Sequence, residues 1–164
     1  MEIFWEELTF GIPTTQQLAH IIIRLTAATI LGAAIGVQRE RAGKPAGFRT
    51  HILVTLGTCL FVLACSGSGM SSDGLSRVIQ GIITGIGFIG AGAILKTNEG
   101  RDVKGLTSAA GIWIAAAIGV TVGLGGLGLA LIATVLTLLV LTVANRIEFQ
   151  IDKNVDQNQV EDGD

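Results

Sequence analysis

Leu18-Ala19-His20-Ile21-Ile22-Ile23-Arg24-Leu25-Thr26-Ala27-Ala28-Thr29-Ile30-Leu31-Gly32-Ala33-Ala34-Ile35-Gly36-Val37 carries a single formal charge in twenty residues. A helix crossing the hydrocarbon core of a bilayer needs about 20 mostly apolar residues, so this run is long enough to span. Four further runs follow, giving spans at 18–37, 51–67, 78–95, 106–122 and 127–145. Ten of the eleven Lys and Arg residues, and all thirteen Asp and Glu, fall outside them. That segregation predicts an all-α polytopic membrane bundle of five transmembrane helices, with no signal peptide and with targeting left to the first span.

Basic residues near span ends set orientation. Arg39, Arg41, Lys44 and Arg49 lie between spans one and two; Lys96, Arg101 and Lys104 lie between spans three and four; Arg146 and Lys153 follow span five. The opposite set of connections holds only Arg77, a bias of nine to one. The N-terminus is therefore expected outside and the C-terminus in the cytoplasm. Residues 1–17 read as an extracytoplasmic segment, in which Ile3, Phe4, Trp5, Leu8 and Phe10 mix with acids at the interface. Thr14 and Gln17 form a capping box that opens the first helix. Residues 18–145 make the membrane domain, and 146–164 read as a short polar, disordered cytoplasmic tail.

Arg24 is the feature most open to a functional reading, because an ionisable group within a membrane helix is a functional hypothesis by default. Arg24, Ala28, Gly32 and Gly36 recur every four residues and share one helix face. Two readings stand side by side: an interior polar contact, or a side chain that snorkels to the outer headgroups across about 9 Å of helix rise. Gln38, Gln80 and Thr84 are the neutral polar residues expected to meet Arg24 or a backbone group. Replacing Arg24 by Ala is expected to disturb function more than replacing Arg39.

Glycine makes up 23 of 164 residues, which favours close helix packing. Gly32 and Gly36 in the first span and Gly81, Gly85, Gly87, Gly90 and Gly92 in the third are the expected packing positions. The third span contains a G-x-G-x-x-G at Gly85, Gly87 and Gly90, but that fingerprint has meaning only between a strand and a helix. Its alternatives are close packing or a locally unwound helix lending carbonyls to an ion. Cys59 and Cys65 have no metal-ligand spacing and read as reduced thiols. No metal cluster, cofactor motif or nucleophile–base spacing appears, which argues against an enzyme, and nothing points to nucleic acid.

Between the first two spans, Arg39, Lys44, Pro45, Gly47, Arg49, Thr50 and His51 form a loop with a defined turn, ending where helix two begins. The loop before span four supplies Lys104, Thr107 and Ser108; the two hydroxyls are expected to cap that helix and face the first loop. Topology determinants explain the charges, and contact with anionic lipid or another protein is the alternative.

The order of these segments resembles the MgtC/SapB family of bacterial inner-membrane proteins. The matching stretches are Arg24-Leu25 with Leu31–Gly36, Pro45-Ala46-Gly47-Phe48-Arg49-Thr50-His51-Ile52-Leu53-Val54, Gly85–Gly92 and Val103–Ala110. The resemblance implies a multi-pass inner-membrane protein tied to magnesium limitation, acid stress and pathogen survival in host cells. It implies a non-enzymatic regulator that contacts a larger complex such as the F-type ATP synthase or a cation pump. The alternative is a permease for Mg²⁺ or another ion, acting as a homo-oligomer, with a dimer expected. Gln38 stands where the family usually has Glu, and Thr107 where the virulence member has Asn. Longer relatives append a soluble C-terminal domain, and functions seated in it are not expected to carry over to this chain.

Overall fold

The computed structural model describes residues 14–96 and 103–161. Its elements are α1 (Thr15–Arg41), α2 (Phe48–Gly67), α3 (Ser72–Gly92), β1 (Leu95–Lys96), β2 (Val103–Lys104), α4 (Leu106–Gly123) and α5 (Leu127–Glu161). Among the described residues five helices are long and apolar enough to cross a membrane; in α5 the apolar stretch is Leu127–Arg146. The two strands form a two-residue antiparallel pair that closes the α3–α4 connection. The interfacial segment expected before Pro13 and the basic Arg101 lie outside the described residues.

Local chemistry explains where the helices start and stop. Thr14 caps α1 in a full capping box, its Oγ1 accepting from the Gln17 N–H while the Gln17 side chain accepts from the Thr14 N–H. α1 does not end with its apolar run but continues to Arg41. Arg39 and Arg41 in its last turn suit the negative end of the helix dipole, so polar sequence does not break the helix there. Gly43, at φ +65°, then reverses the chain. Ser71 caps α3, which starts at Ser72, six residues before the span expected from 78. Likewise α5 runs on to Glu161 where composition suggests a disordered tail. Ile147, Ile151 and Val155 recur at four-residue spacing there, and that period is compatible with a helix.

α4 is the central helix. Half of its apolar window is buried, against about a tenth for α3. Ile112, Ala115, Ile118 and Val122 of α4 are all almost fully covered. Ala28 and Ile35 of α1, Cys59 of α2 and Ala130 of α5 join Ile118 and Val122 in the main core. Glycine lets α2 wedge between α1 and α4. A Cβ added at Gly32 would strike Thr55 Oγ1 and come within 2.8 Å of the His51 carbonyl; one at Gly36 would lie 2.7 Å from Phe48 Cα. On the other side, a Cβ at Gly119 would strike Thr58 and the Thr55 carbonyl, and one at Gly123 would meet Val62 and the Cys59 carbonyl. Thr55 is thus clasped from both sides and has no exposed surface. Its hydroxyl donates to the His51 carbonyl of its own helix, which satisfies the group without a partner from another helix.

The third span behaves differently. A Cβ at Gly81, Gly85, Gly87 or Gly92 would meet nothing within 4 Å; Gly90 alone of the α3 set approaches a neighbour, Ala109. α3 is a regular helix from Ser72 to Gly92, so no unwound segment offers carbonyls to an ion. Cys59 and Cys65 are both free thiols.

Candidate functional site

Two polar knots tie the bundle, one at each end. At the basic end, Arg39 lies within α1 rather than in a loop, and none of its surface is exposed. Its Nη2 donates to Ser108 Oγ at 3.1 Å, in the first turn of α4. His51, in the first turn of α2, is equally buried, and its ring packs against α4: a Cβ on Gly111 would come within 3.2 Å of His51 Nε2 and 3.9 Å of Arg39 Nε. His51 Nδ1 lies 2.9 Å from the Gly47 carbonyl. A carbonyl oxygen only accepts, so Nδ1 carries the proton of this contact. Among the described residues Nε2 has no hydrogen-bond partner.

Glu40 completes this end. Gly47 occupies the N-cap of α2 and has no side chain to offer, and the Glu40 Oε2 accepts from the Phe48 N–H at 2.7 Å instead. A carboxylate at a helix N-terminus is favourable, so α1 caps α2 from across the turn. Ala46 is buried beneath that turn, whereas Pro45 and Arg49 are exposed and Lys44 and Thr50 half-buried.

α4 opens on Gly105, at φ +97°, where an added Cβ would strike the Ala93 carbonyl. Thr107 and Ser108 therefore do not cap this helix as composition suggests. Thr107 is exposed, Ser108 turns inward to Arg39, and Lys104 is exposed beside them.

At the opposite end Arg24 reaches the C-terminus of α4. Its Nη1 donates to the Gly123 carbonyl at 2.9 Å, and its Nη2 lies 2.7 Å from where a Cβ on Gly125 would stand. The last carbonyls of a helix lack intrahelical donors and bear partial negative charge, so a guanidinium there satisfies both needs. Gly125, at φ +92°, makes the turn that leaves room for it. The contact is with protein, near one end of the bundle. Gln80 and Thr84 do not share it: both are exposed on α3, where the Thr84 hydroxyl donates to the Gln80 carbonyl. Gln38 lies near the other end of α1.

The structure thus brings together Arg39, Gly47, His51 and Ser108 from the expected set, and leaves Arg24 apart with Gly123. It adds Glu40, Thr55, Thr58, Gly111, Gly119 and Gly123, which composition alone does not single out. One signal was available: Gly111, Ala115, Gly119 and Gly123 repeat every four residues along α4, as Arg24, Ala28, Gly32 and Gly36 do along α1. Among the described residues no group of three or more His, Cys, Asp or Glu is placed to hold a metal.

Membrane-length helices clasped by glycines and tied by two guanidinium contacts define a multi-pass helical membrane protein. The MgtC family model matches residues 25–150, and the chain belongs to that family. It is 44% identical over 140 residues to YhiD of Escherichia coli K12, whose name describes it provisionally as a magnesium transporter. That match covers 81% of this chain and 64% of YhiD, so the chain spans less than two thirds of that relative. It is 46% identical over 136 residues to SrpB of Synechococcus elongatus, covering 76% of this chain and 75% of SrpB. Protein MgtC of Salmonella typhimurium LT2 is 44% identical over 117 residues, or 71% of this chain and 49% of MgtC. No solved structure matches.

Proposed function

We propose that this chain is a non-enzymatic regulator in the bacterial inner membrane, acting in magnesium and acid-stress homeostasis. It docks a helix of a larger membrane complex, such as the F-type ATP synthase or a cation pump, on α3. Its N-terminus is outside and the end bearing Arg39 and Arg146 is cytoplasmic. The observation that carries this reading is the open face of α3. Gly81 and Gly85 meet nothing, and they border a groove of about 410 Å³ whose walls include Phe61, Val78, Ile82, Ile86 and Ile89. Small residues one turn apart let a second helix approach closely in lipid, where packing, not hydrophobicity, drives association. Arg24 and Arg39 on the polar face of α1 are already engaged with α4, which favours α3 as the docking surface.

Transport of Mg²⁺ by a homo-oligomer is the second reading, favoured by the name given to YhiD. Mg²⁺ demands near-octahedral oxygen ligands and is usually held through carboxylates. Among the described residues no Asp or Glu lines the α3 groove, or the cavities between α1 and α5 and between α3 and α4. Two guanidinium groups within the bundle would also oppose a cation in passage.

Both readings are tested on one preparation. Protein in liposomes should move no Mg²⁺, and a membrane ATPase should co-purify with wild type but not with Gly85→Leu. Mg²⁺ flux above empty liposomes would overturn the regulator. Cross-linking from Ile83→Cys that captures only a second copy would replace the ATPase with a homodimer on the same face.

A further inference from the structure

A cavity of about 550 Å³ lies between α1 and α5 at the basic end of the bundle. Its walls grade from Ala34 on the membrane side, through Gln38 and Thr142, to Asn145, Arg41 and Arg146. Arg41 and Arg146 come from opposite ends of the chain, and both are exposed where the apolar stretches of their helices stop. Two guanidinium groups lining one cavity repel each other, and among the described residues no carboxylate lines it to offset them. Gln38 adds a buried Oε1 that accepts no hydrogen bond among the described residues.

We infer that this cavity binds the phosphate of a phosphate ester, with Arg41 and Arg146 forking onto its oxygens. Arginine is suited to this because its planar donors match two phosphate oxygens at once. The gradient from apolar wall to paired arginines is that of a phospholipid, glycerol backbone inward and headgroup outward. A soluble phosphate ester shares the chemistry at the arginines and makes no use of the apolar wall. The inference is independent of what docks on α3.

Native mass spectrometry of the full chain, released from detergent with added phosphatidylglycerol or with inorganic phosphate, reads the site directly. One phospholipid should bind per chain, and the Arg41→Gln/Arg146→Gln pair should weaken it about tenfold or more, as expected for losing charge-assisted bonds. Arg49→Gln, which removes an exposed charge at the same end outside the cavity, should leave it unchanged. Thr142→Phe keeps both charges and fills the space, and it should also displace the lipid. Binding of phosphate alone, lost in the arginine pair, would keep the phosphate site and make its source soluble. Equal lipid retention in wild type, the arginine pair and Thr142→Phe would overturn the inference.

Discussion

Arg39 and Arg24 have the same chemistry and different surroundings, and the difference sets what each substitution should do. Arg39 has no exposed surface and is hydrogen-bonded to Ser108, so Arg39→Ala removes a long side chain from a packed site and opens a cavity. It should cost about 2–4 kcal/mol in reversible unfolding in detergent, on the scale of large-to-small core changes. Arg24 is half-buried and loses one bond to the α4 terminus, so Arg24→Ala should cost about 1 kcal/mol. Denaturation of the two variants side by side checks the order, and a larger loss for Arg24 would refute it. Arg24 was legible because it interrupts an apolar run. Arg39 was not, because it follows that run in a cluster of charges, and its burial depends on Ser108, 69 residues further along the chain. Periodicity within one helix cannot report a partner so distant.

The helices divide between those clasped inside the chain and the one left open, and glycine substitutions should separate them. Gly119→Leu forces side-chain atoms into the Thr55 backbone, which cannot give way. Overpacking of that kind costs about 1–3 kcal/mol or more, so the protein should accumulate poorly and unfold early. Gly85→Leu meets open space, so accumulation and thermal unfolding of the isolated chain should match wild type while partner capture is lost. Equal damage from both would show that α3 is packed within the chain after all. Gly105→Ala combines a left-handed backbone with a clash against the Ala93 carbonyl. It should destabilise the protein by about 1–3 kcal/mol, seen as a lowered Tm in detergent. The number of spans could be read from length and polarity, since bilayer thickness dictates both. Helix ends could not, because capping by Glu40 and a stop at Gly43 owe nothing to hydropathy.

At the scale of the whole molecule, charge is sorted to one end. Arg39, Arg41, Arg49, Lys104 and Arg146 all lie at the end where α1 finishes and α2 and α4 begin. With Cys59 and Cys65 replaced by Ser, an impermeant maleimide should label Ser68→Cys in intact cells. It should label Pro45→Cys only after permeabilisation. The reverse pattern would invert the proposed orientation. The family and the five-helix plan were both readable before any coordinates. Which helices grip each other was not, because apolar faces toward lipid and toward protein look alike in composition. Leu53, Phe61 and Phe88 are exposed, while Ile112 and Ile118 are buried.

One coincidence of register has a mechanical meaning. Arg24 and Arg39 are fifteen residues apart on α1, and so are their partners Gly123 and Ser108 on α4, in reverse order. At about 1.5 Å of rise per residue, both intervals come to about 22 Å. Two rods riveted at matching points can neither slip past one another nor pivot. Any rearrangement of the bundle must then treat this pair as a fixed strut. The give is left to the spans outside this pair, and of those α3 is the least buried.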